Sequence, residues 1–229
     1  MSFTDVHPSD YFYVPVIYLA CHGVISGYND AAHCGTNIPC FAPFNNTTRA
    51  QMVKIVVLGF NIPIVTPTPT GSYTFTDVQP GHPFYSWIET AAADNIVTGY
   101  PCGGPGEPCD PQNRPYFRPN AFVTRGQLSK IDVIAAGWPQ INPVNNTFQD
   151  VLPTNPFYTY IETAACHGII NGYPCGGVGE PCVPPDNKPY FRWFNNATRG
   201  QIAKIVYLSI TNPPACESTP TPAVPKGRP

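Results

Sequence analysis

The sequence predicts an all-α protein built from three tandem repeats, each made of two helices joined by a long loop. The first observation is self-similarity, because one ordered set of motifs occurs three times along the 229 residues. Each set begins with a Phe-x-Asp-Val motif, at Phe3, Phe75 and Phe148. The second is apolar residues at helical spacing. A repeat of this size cannot bury the apolar faces of two short helices by itself, so we expect the three to share one core.

The first helix of each repeat is predicted in an aromatic segment after the opening motif. Phe84, Ile88 and Ala92 stand at i, i+4 and i+8, the stripe of an amphipathic helix. Phe157, Ile161 and Ala165 repeat that stripe in the third repeat. Glu89 and Glu162 recur on this helix, and we expect them to be solvated surface carboxylates with no catalytic role.

An apolar pair and a glycine follow the first helix in every repeat. The glycines are Gly27, Gly99 and Gly172. We expect a tight turn with positive φ at each, because glycine adopts that conformation without a steric cost.

The second helix is predicted in a segment that begins with Thr-Arg-x-Gln and continues with Leu128, Ile131 and Ile134 on one face in the second repeat. Thr at the N-cap and Gln three residues later form a capping box. The arginine is not explained by capping, since a cation at the first helical position faces the positive end of the helix dipole. It stands at Arg49, Arg125 and Arg199.

These arginines predict an anion site, because helix N–H groups and a guanidinium would converge on one point. A ligand that bears a carboxylate fits such a site. The alternative is an arginine that packs its stem on aromatic rings or donates to a carbonyl.

The boundaries of the repeats follow from the motifs and from Thr/Pro-rich connectors. We expect repeat one over residues 1–65, a linker over 66–74, repeat two over 75–142, repeat three over 143–214 and a Pro/Thr-rich tail over 215–229. We call the three repeats the first, second and third units.

Composition narrows the class of protein. Charged residues make up 11% of the chain and the formal net charge is −2, so no basic face is available for nucleic acid. No apolar run approaches the length of a membrane span. Nine cysteines at loop-like spacings indicate an extracellular protein with disulfides.

Six cysteines pair naturally by position within their loops: Cys34 with Cys40, Cys102 with Cys109, and Cys175 with Cys182. Cys21, Cys166 and Cys216 remain. Cys166 can pair with Cys216, which leaves one thiol free or bonded to a neighbouring subunit. Adjacent Cys-His pairs seldom bind one tetrahedral ion, and the glycine-rich loop lacks the Lys-Ser/Thr of a phosphate cradle, so we expect no metal and no cofactor.

Two further sets of residues are candidates for function. The motif aspartates either cap the first helix or its preceding turn, or bind a ligand such as calcium; they are Asp5, Asp77 and Asp150. Asn-x-Thr sequons make N-glycosylation a hypothesis at Asn46, Asn145 and Asn196.

The ordered combination of Phe-x-Asp-Val, Gly-Tyr, Phe-x-Pro and Thr-Arg-x-Gln resembles the S-layer homology domain of bacterial surface proteins across residues 3–214. The resemblance implies a three-pronged helical spindle around a pseudo-threefold axis, attached non-covalently to cell-wall polysaccharide, commonly through pyruvylated sugars. Arg49, Arg125 and Arg199 match the arginine of the family's Thr-Arg-Ala-Glu motif, which lines grooves between repeats. Glutamine replaces the family's glutamate here, and a cysteine loop replaces its short turn.

The sequence therefore predicts a non-catalytic cell-surface module that binds acidic cell-wall polysaccharide. The alternative is a structural subunit of an S-layer or extracellular filament, in which copies of the chain contact one another.

Overall fold

A computed structural model of the chain describes residues 2–65, 72–211 and 216. Within them the regular secondary structure is helical, which confirms the prediction of an all-α protein. The helices are α1 (Tyr13–Cys21), α2 (Ala31–Cys34), α3 (Arg49–Gly59), α4 (Tyr85–Ala93), α5 (Arg125–Ala135), α6 (Tyr158–Cys166) and α7 (Arg199–Thr211). Residues 66–71 of the predicted linker, and the predicted tail apart from Cys216, lie outside the described residues.

Each unit contributes a short first helix and a long second helix, but the first unit contains a third. The short helix α2 lies in the long loop of the first unit, where no helix was predicted, and Asp30 accepts a hydrogen bond from the His33 N–H at its start, at 3.0 Å. At α3 and α5 the capping boxes of Thr48 with Gln51 and of Thr124 with Gln127 confirm the predicted helix starts.

The helices pack in a cyclic pattern. The long helices α3, α5 and α7 contact one another, and each also packs against one first helix: α4 on α3, α6 on α5 and α1 on α7. The first helix of a unit therefore packs on the long helix of the preceding unit, and α1 packs on the last long helix of the chain. Six phenylalanines are fully buried in the shared core: Phe12, Phe41, Phe75, Phe117, Phe148 and Phe191.

A closed ring of backbone hydrogen bonds joins the units just before the long helices. Thr47 N–H donates to Ala197 O at 3.1 Å, Ala197 N–H donates to Val123 O at 2.8 Å, and Val123 N–H donates to Thr47 O at 3.0 Å. The starts of α3, α5 and α7 are therefore fixed relative to one another, which brings the three motif arginines into equivalent positions.

The prediction of positive φ at the three glycines is wrong for Gly27 and Gly172 and right for Gly99, where φ is 71°. Their common property is close approach to the ring of the motif phenylalanine. A Cβ on Gly99 would lie 2.7 Å from Phe75 Cε1, and one on Gly172 would lie 2.9 Å from Phe148 Cε1. The absence of a side chain is required for packing.

Glu89 and Glu162 are buried, at 6% and 2% exposure, so the prediction of solvated carboxylates is wrong. Glu89 accepts hydrogen bonds from Thr74 N–H at 2.9 Å and from the Thr74 hydroxyl at 2.7 Å. Thr147 donates to Glu162 in the same way. The carboxylates hold the start of the second and third units against their own first helices.

The motif aspartates do not cap the first helix. Asp77 accepts from Phe117 N–H and Arg118 N–H, both at 2.7 Å, across about forty residues of sequence. Asp5 and Asp150 accept in the same way from the equivalent N–H groups of the first and third units. Both carboxylate oxygens of each aspartate therefore hold the end of the cysteine loop. Of the described helices, none is long and apolar enough to cross a membrane.

Candidate ligand grooves between the units

The three motif arginines are buried and reach into a neighbouring unit. Arg49 Nε donates to Phe117 O at 2.8 Å, and its guanidinium carbon lies 4.7 Å from the centre of the Phe117 ring. Arg125 donates to Phe191 O and Arg199 to Phe41 O, each at 2.8 Å. The carbonyl contact that the sequence left as an alternative is thus present, and the side chain also joins two units.

The helix N–H groups are not available to a ligand, which corrects the expectation that they would converge with the guanidinium. Arg49 N–H donates to Ala121 O at 2.8 Å and Ala50 N–H donates to Pro119 O at 3.1 Å. The first turns of α5 and α7 are satisfied in the same way by the third and first units. The first turn of the long helix therefore offers no free N–H group to an anion in the groove.

Burial lowers the pKa of Arg49, Arg125 and Arg199, because the charged guanidinium loses hydration. An arginine nevertheless keeps its proton in proteins. Each groove therefore contains a permanent and poorly hydrated positive charge, which favours an incoming anion.

Each arginine lies in a groove between units. The empty volumes of the grooves at Arg49, Arg125 and Arg199 are about 530, 650 and 630 Å³. The groove at Arg49 is lined by residues 96–100, Gln127, Lys130, Ile131 and Phe157. The other two are lined by the equivalent segments, and no carboxylate is among the described lining residues of any groove.

A lysine from the long helix adds a second cation to every groove. These lysines are Lys130, Lys204 and Lys54, in the grooves of Arg49, Arg125 and Arg199 respectively. They were not predicted as site residues, although a lysine recurs five positions after each motif arginine, and that recurrence was the available signal.

An aromatic ring of a further unit accompanies each lysine. The Nζ of Lys54 lies 4.6 Å from the Trp87 ring centre, and that of Lys130 lies 5.7 Å from the Tyr160 ring centre. The equivalent position of the first unit is Pro15, and there Tyr11 faces Lys204 at 5.5 Å instead. The lining itself includes Phe157, Tyr11 and Phe84 in the grooves of Arg49, Arg125 and Arg199 respectively, so each groove combines positive charge with a flat aromatic surface.

The motif glutamine serves both the helix and the groove wall. Gln127 Oε1 accepts from Thr124 N–H at 3.1 Å in the capping box, while its Nε2 donates to the Tyr100 hydroxyl at 2.7 Å. Gln201 Nε2 donates to the Tyr173 hydroxyl at 3.0 Å. The amide thereby fixes the tyrosine that lines the groove.

The cysteine loops of the second and third units brace that tyrosine from beside the groove. Glu107, within the loop closed by Cys102 and Cys109, binds Arg118 through two hydrogen bonds at 2.7 and 2.8 Å. The Arg118 guanidinium carbon lies 4.0 Å from the Tyr100 ring centre. Hydrogen bonding to Arg118 lowers the pKa of Glu107. Glu180, Arg192 and Tyr173 repeat this arrangement in the third unit.

The first unit builds the equivalent wall differently. Ala42 stands in place of Arg118, and the His33 ring stacks on Tyr28 with centres 4.0 Å apart. Asp30 binds His33 Nδ1 at 2.7 Å, and this hydrogen bond lowers the pKa of Asp30.

The structure joins Cys34 to Cys40, Cys102 to Cys109, Cys175 to Cys182 and Cys166 to Cys216, and Cys21 is a free, exposed thiol. Asn46, Asn145 and Asn196 are exposed. Asp5, Asp77 and Asp150 are not among the described lining residues of the grooves, and both carboxylate oxygens of each accept hydrogen bonds. In the part of the chain that the structure describes, no three His, Cys, Asp or Glu side chains are placed to hold a metal ion.

The family model of the S-layer homology domain matches residues 2–53 and 74–129. These two segments of the chain are therefore repeats of the S-layer homology domain. Domains of this family generally anchor proteins to the cell wall, so the match implies that the chain associates with the cell surface. The comparison with curated proteins gives no match.

Proposed function

We propose that the chain attaches to an acidic polysaccharide of the cell envelope through its three grooves, without catalysing a reaction. The observation that carries the proposal is the convergence of a buried arginine, a lysine, an aromatic ring and no carboxylate in every groove. Carboxylates of the polymer, such as pyruvyl ketals, would pair with the two cations, while the sugar ring would pack on the aromatic side chain.

We further infer that the units at residues 1–65, 75–142 and 143–214 form a three-pronged spindle around a pseudo-threefold axis. The cyclic packing of α1, α4 and α6 on the long helices supports this arrangement, as does the closed ring of backbone hydrogen bonds. Three equivalent weak sites on one polymer would act together and raise the overall affinity.

The experiment is co-sedimentation with purified cell-wall polysaccharide. Replacing the arginines would also remove inter-unit hydrogen bonds, so the decisive variant is Lys54→Glu, Lys130→Glu and Lys204→Glu together. It reverses a half-buried charge in each groove and leaves the arginine contacts intact. We expect this variant to lose binding.

Lys188→Glu is the matched control, because Lys188 lies outside the grooves beside Asn146 and Asp186. It should bind like the parent protein. Equal binding by the parent and the triple variant would contradict the groove proposal. Treating the polysaccharide to remove its carboxylates should reproduce the loss seen with the triple variant.

A second candidate is the structural subunit of an S-layer or filament. It is favoured by one feature of the surface, the uncovered outer face of α1.

A further inference from the structure

The outer face of α1, formed by Tyr13, Val14, Ile17, Tyr18 and Cys21, is uncharged and partly exposed. Val14 has 56% of its surface exposed, and the rest of α1 contains no charged residue either. Among the described residues, no segment is hydrogen-bonded across this face. An exposed apolar helix face of this kind indicates an interaction surface.

The equivalent face of α4 is covered by the segment that connects the first and second units. Val65 N–H donates to the Thr90 hydroxyl at 3.0 Å, Thr74 binds Glu89, and the Tyr85 hydroxyl donates to Ser72 O at 2.9 Å. The chain that connects the first and second units thus lies along the helix on both sides of residues 66–71.

The equivalent face of α6 is covered in the same way by the connection between the second and third units. Ile141 N–H donates to the Thr163 hydroxyl at 3.0 Å, and the Tyr158 hydroxyl donates to Pro143 O at 2.6 Å. Two of the three first helices are therefore docking sites for an extended connecting segment, and α1 is the third helix of this set.

The chemistry of the α1 face differs from that of its counterparts in a specific way. Ile17 and Tyr18 occupy the positions of the hydrogen-bonding Glu89 and Thr90. Tyr18 stacks on His22, with ring centres 4.1 Å apart, and meets the Tyr207 ring edge-on at 5.1 Å. An uncharged surface lined by tyrosines suits an extended proline-rich segment, which enters such a groove already in its bound conformation.

The chain contains a segment of that composition after Cys216. Residues 218–225 read Ser-Thr-Pro-Thr-Pro-Ala-Val-Pro, without a charge, and Thr219-Pro220-Thr221-Pro222 repeats the Thr-Pro-Thr-Pro at residues 66–69 of the first connection. Pro222 and Pro225 would share one edge of a polyproline II helix, which has three residues per turn.

The disulfide fixes the point from which this segment begins. Cys216 is bonded to Cys166 at the end of α6, which packs on α5, whereas α1 packs on α7. Cys216 is therefore attached to a different helix pair from the one that bears the uncovered face. We propose that residues 217–229 of one copy dock on the outer face of α1 of a second copy. The contact is head-to-tail and is independent of polysaccharide binding.

Sedimentation velocity over a range of concentrations tests the proposal, with full-length protein carrying Cys21→Ser to prevent disulfide crosslinking. The face variant Ile17→Glu places on α1 the residue found at this position of α4 and α6. The tail variant is Pro222→Glu with Pro225→Glu. We expect the Cys21→Ser parent to associate as its concentration rises, and each variant alone to associate at least about tenfold more weakly.

Mixing the two variants supplies the sharper result. The face variant keeps an intact tail and the tail variant keeps an intact face, so an equimolar mixture should form a dimer and no longer species. Ser86→Glu is the matched control, since Ser86 occupies the position of Val14 on the already covered α4; it should associate like the parent. Thermal melts check that the variants are folded, and Val14→Glu replaces Ile17→Glu if the latter unfolds.

Three results would overturn the proposal. If the parent stays monomeric at every concentration, the tail does not dock on a second copy. The α1 face would then be available to the tail of the same copy or to polypeptide that precedes residue 2. Association that persists in both variants would assign the contact to another surface. A mixture that contains only monomers would show that face and tail do not meet.

Discussion

In the second unit the groove tyrosine, Tyr100, is covered by Arg118, which Glu107 holds through two hydrogen bonds. In the first unit the equivalent ring is covered by His33, which the Asp30 carboxylate holds through its side chain. Both loops are closed by a disulfide. The common element is a flat nitrogen-bearing group pressed on the tyrosine and held by a loop carboxylate, so the wall is preserved although its residues are not.

The long helices of the same two units differ at a buried position. Asp132 of α5 is fully buried seven residues after Arg125, where α3 and α7 have the fully buried Val56 and Val206. Asp132 Oδ2 lies 2.5 Å from Ser209 Oγ, which also lies 3.0 Å from Ile205 O. The Ser209 hydroxyl is the donor in both contacts and has a single proton to share between the Asp132 carboxyl oxygen and Ile205 O.

The largest predicted effect follows from this aspartate. Burial raises the pKa of Asp132 to about 7, although the hydrogen bond from Ser209 acts in the opposite direction. The folded state therefore binds more protons than the unfolded state between about pH 4 and pH 7, and the free energy of unfolding falls as pH rises through that window. This rise in the pKa of Asp132 corresponds to a loss of about 4 kcal/mol in the free energy of unfolding as the pH rises through that window.

Asp132→Val copies the other two units and should remove this pH dependence. We expect the variant to exceed the parent by several kcal/mol at pH 8 and to approach it near pH 4, measured by guanidinium unfolding with disulfides intact. Because other groups titrate identically in both proteins, the difference isolates Asp132. Parallel stability profiles from pH 4 to 8 would show that its pKa is not raised.

The next effect compares the two loops directly. Removing the Cys102–Cys109 disulfide or the Cys34–Cys40 disulfide with paired Cys→Ser changes should cost about 2.5 kcal/mol in each case, because the loops have similar lengths. Polysaccharide binding separates their local consequences. The second-unit change should weaken the groove at Arg49, whose wall includes Tyr100, and the first-unit change should weaken the groove at Arg199, whose wall includes Tyr28.

Double variants test whether each loop supports its own groove. The loss of binding caused by removing a disulfide should not add to the loss caused by the lysine change in the same groove, but it should add to the loss caused by a lysine change in another groove. Cys102→Ser with Cys109→Ser should add little to Lys130→Glu and should add fully to Lys54→Glu. Full additivity in both cases would mean that the loop does not support the groove wall.

Local patterns in the sequence were sufficient for the two main helices of each unit, though not for α2, because the capping boxes and apolar spacing act within a few residues. The three motif arginines were chosen as candidate site residues because they recur and capping does not explain them, and they do line the grooves. Their partners were out of reach: Arg49 donates to a carbonyl 68 residues away. The burial of Glu89 was not predicted for the same reason, because its hydrogen-bond partner Thr74 belongs to the connection between units and not to the same helix.

A smaller effect of opposite sign is expected at the loop ends, where Ala42 and Arg118 both have positive φ, at 56° and 60°. Ala42→Gly should raise stability by about 1 kcal/mol, since glycine adopts this conformation without the Cβ clash. Arg118→Gly removes the same Cβ clash but also removes the contacts of Arg118 with Glu107 and Tyr100, so we expect it to lower stability. Differential scanning calorimetry should show the Tm of Ala42→Gly rising by about 2–4 °C. A rise in both variants would mean that the arginine contributes nothing to the fold.

The smallest predicted effect concerns the two loop carboxylates. Hydrogen bonds lower the pKa of Glu107 and of Asp30, so each contributes stability above its unfolded pKa of about 4 and loses it as pH falls through the lower folded value. At pH 7 we expect Glu107→Gln to lower the Tm more than Asp30→Asn, each by less than about 2 °C. Both bonds to Glu107 come from the Arg118 guanidinium, whereas Asp30 binds one ring nitrogen and one backbone N–H of His33. Below pH 3 the parent carboxyl groups are increasingly protonated, and the differences from both variants should shrink. If Asp30→Asn had the larger effect at pH 7, the stacked histidine would be the stronger brace, and the order of the two loops would be reversed.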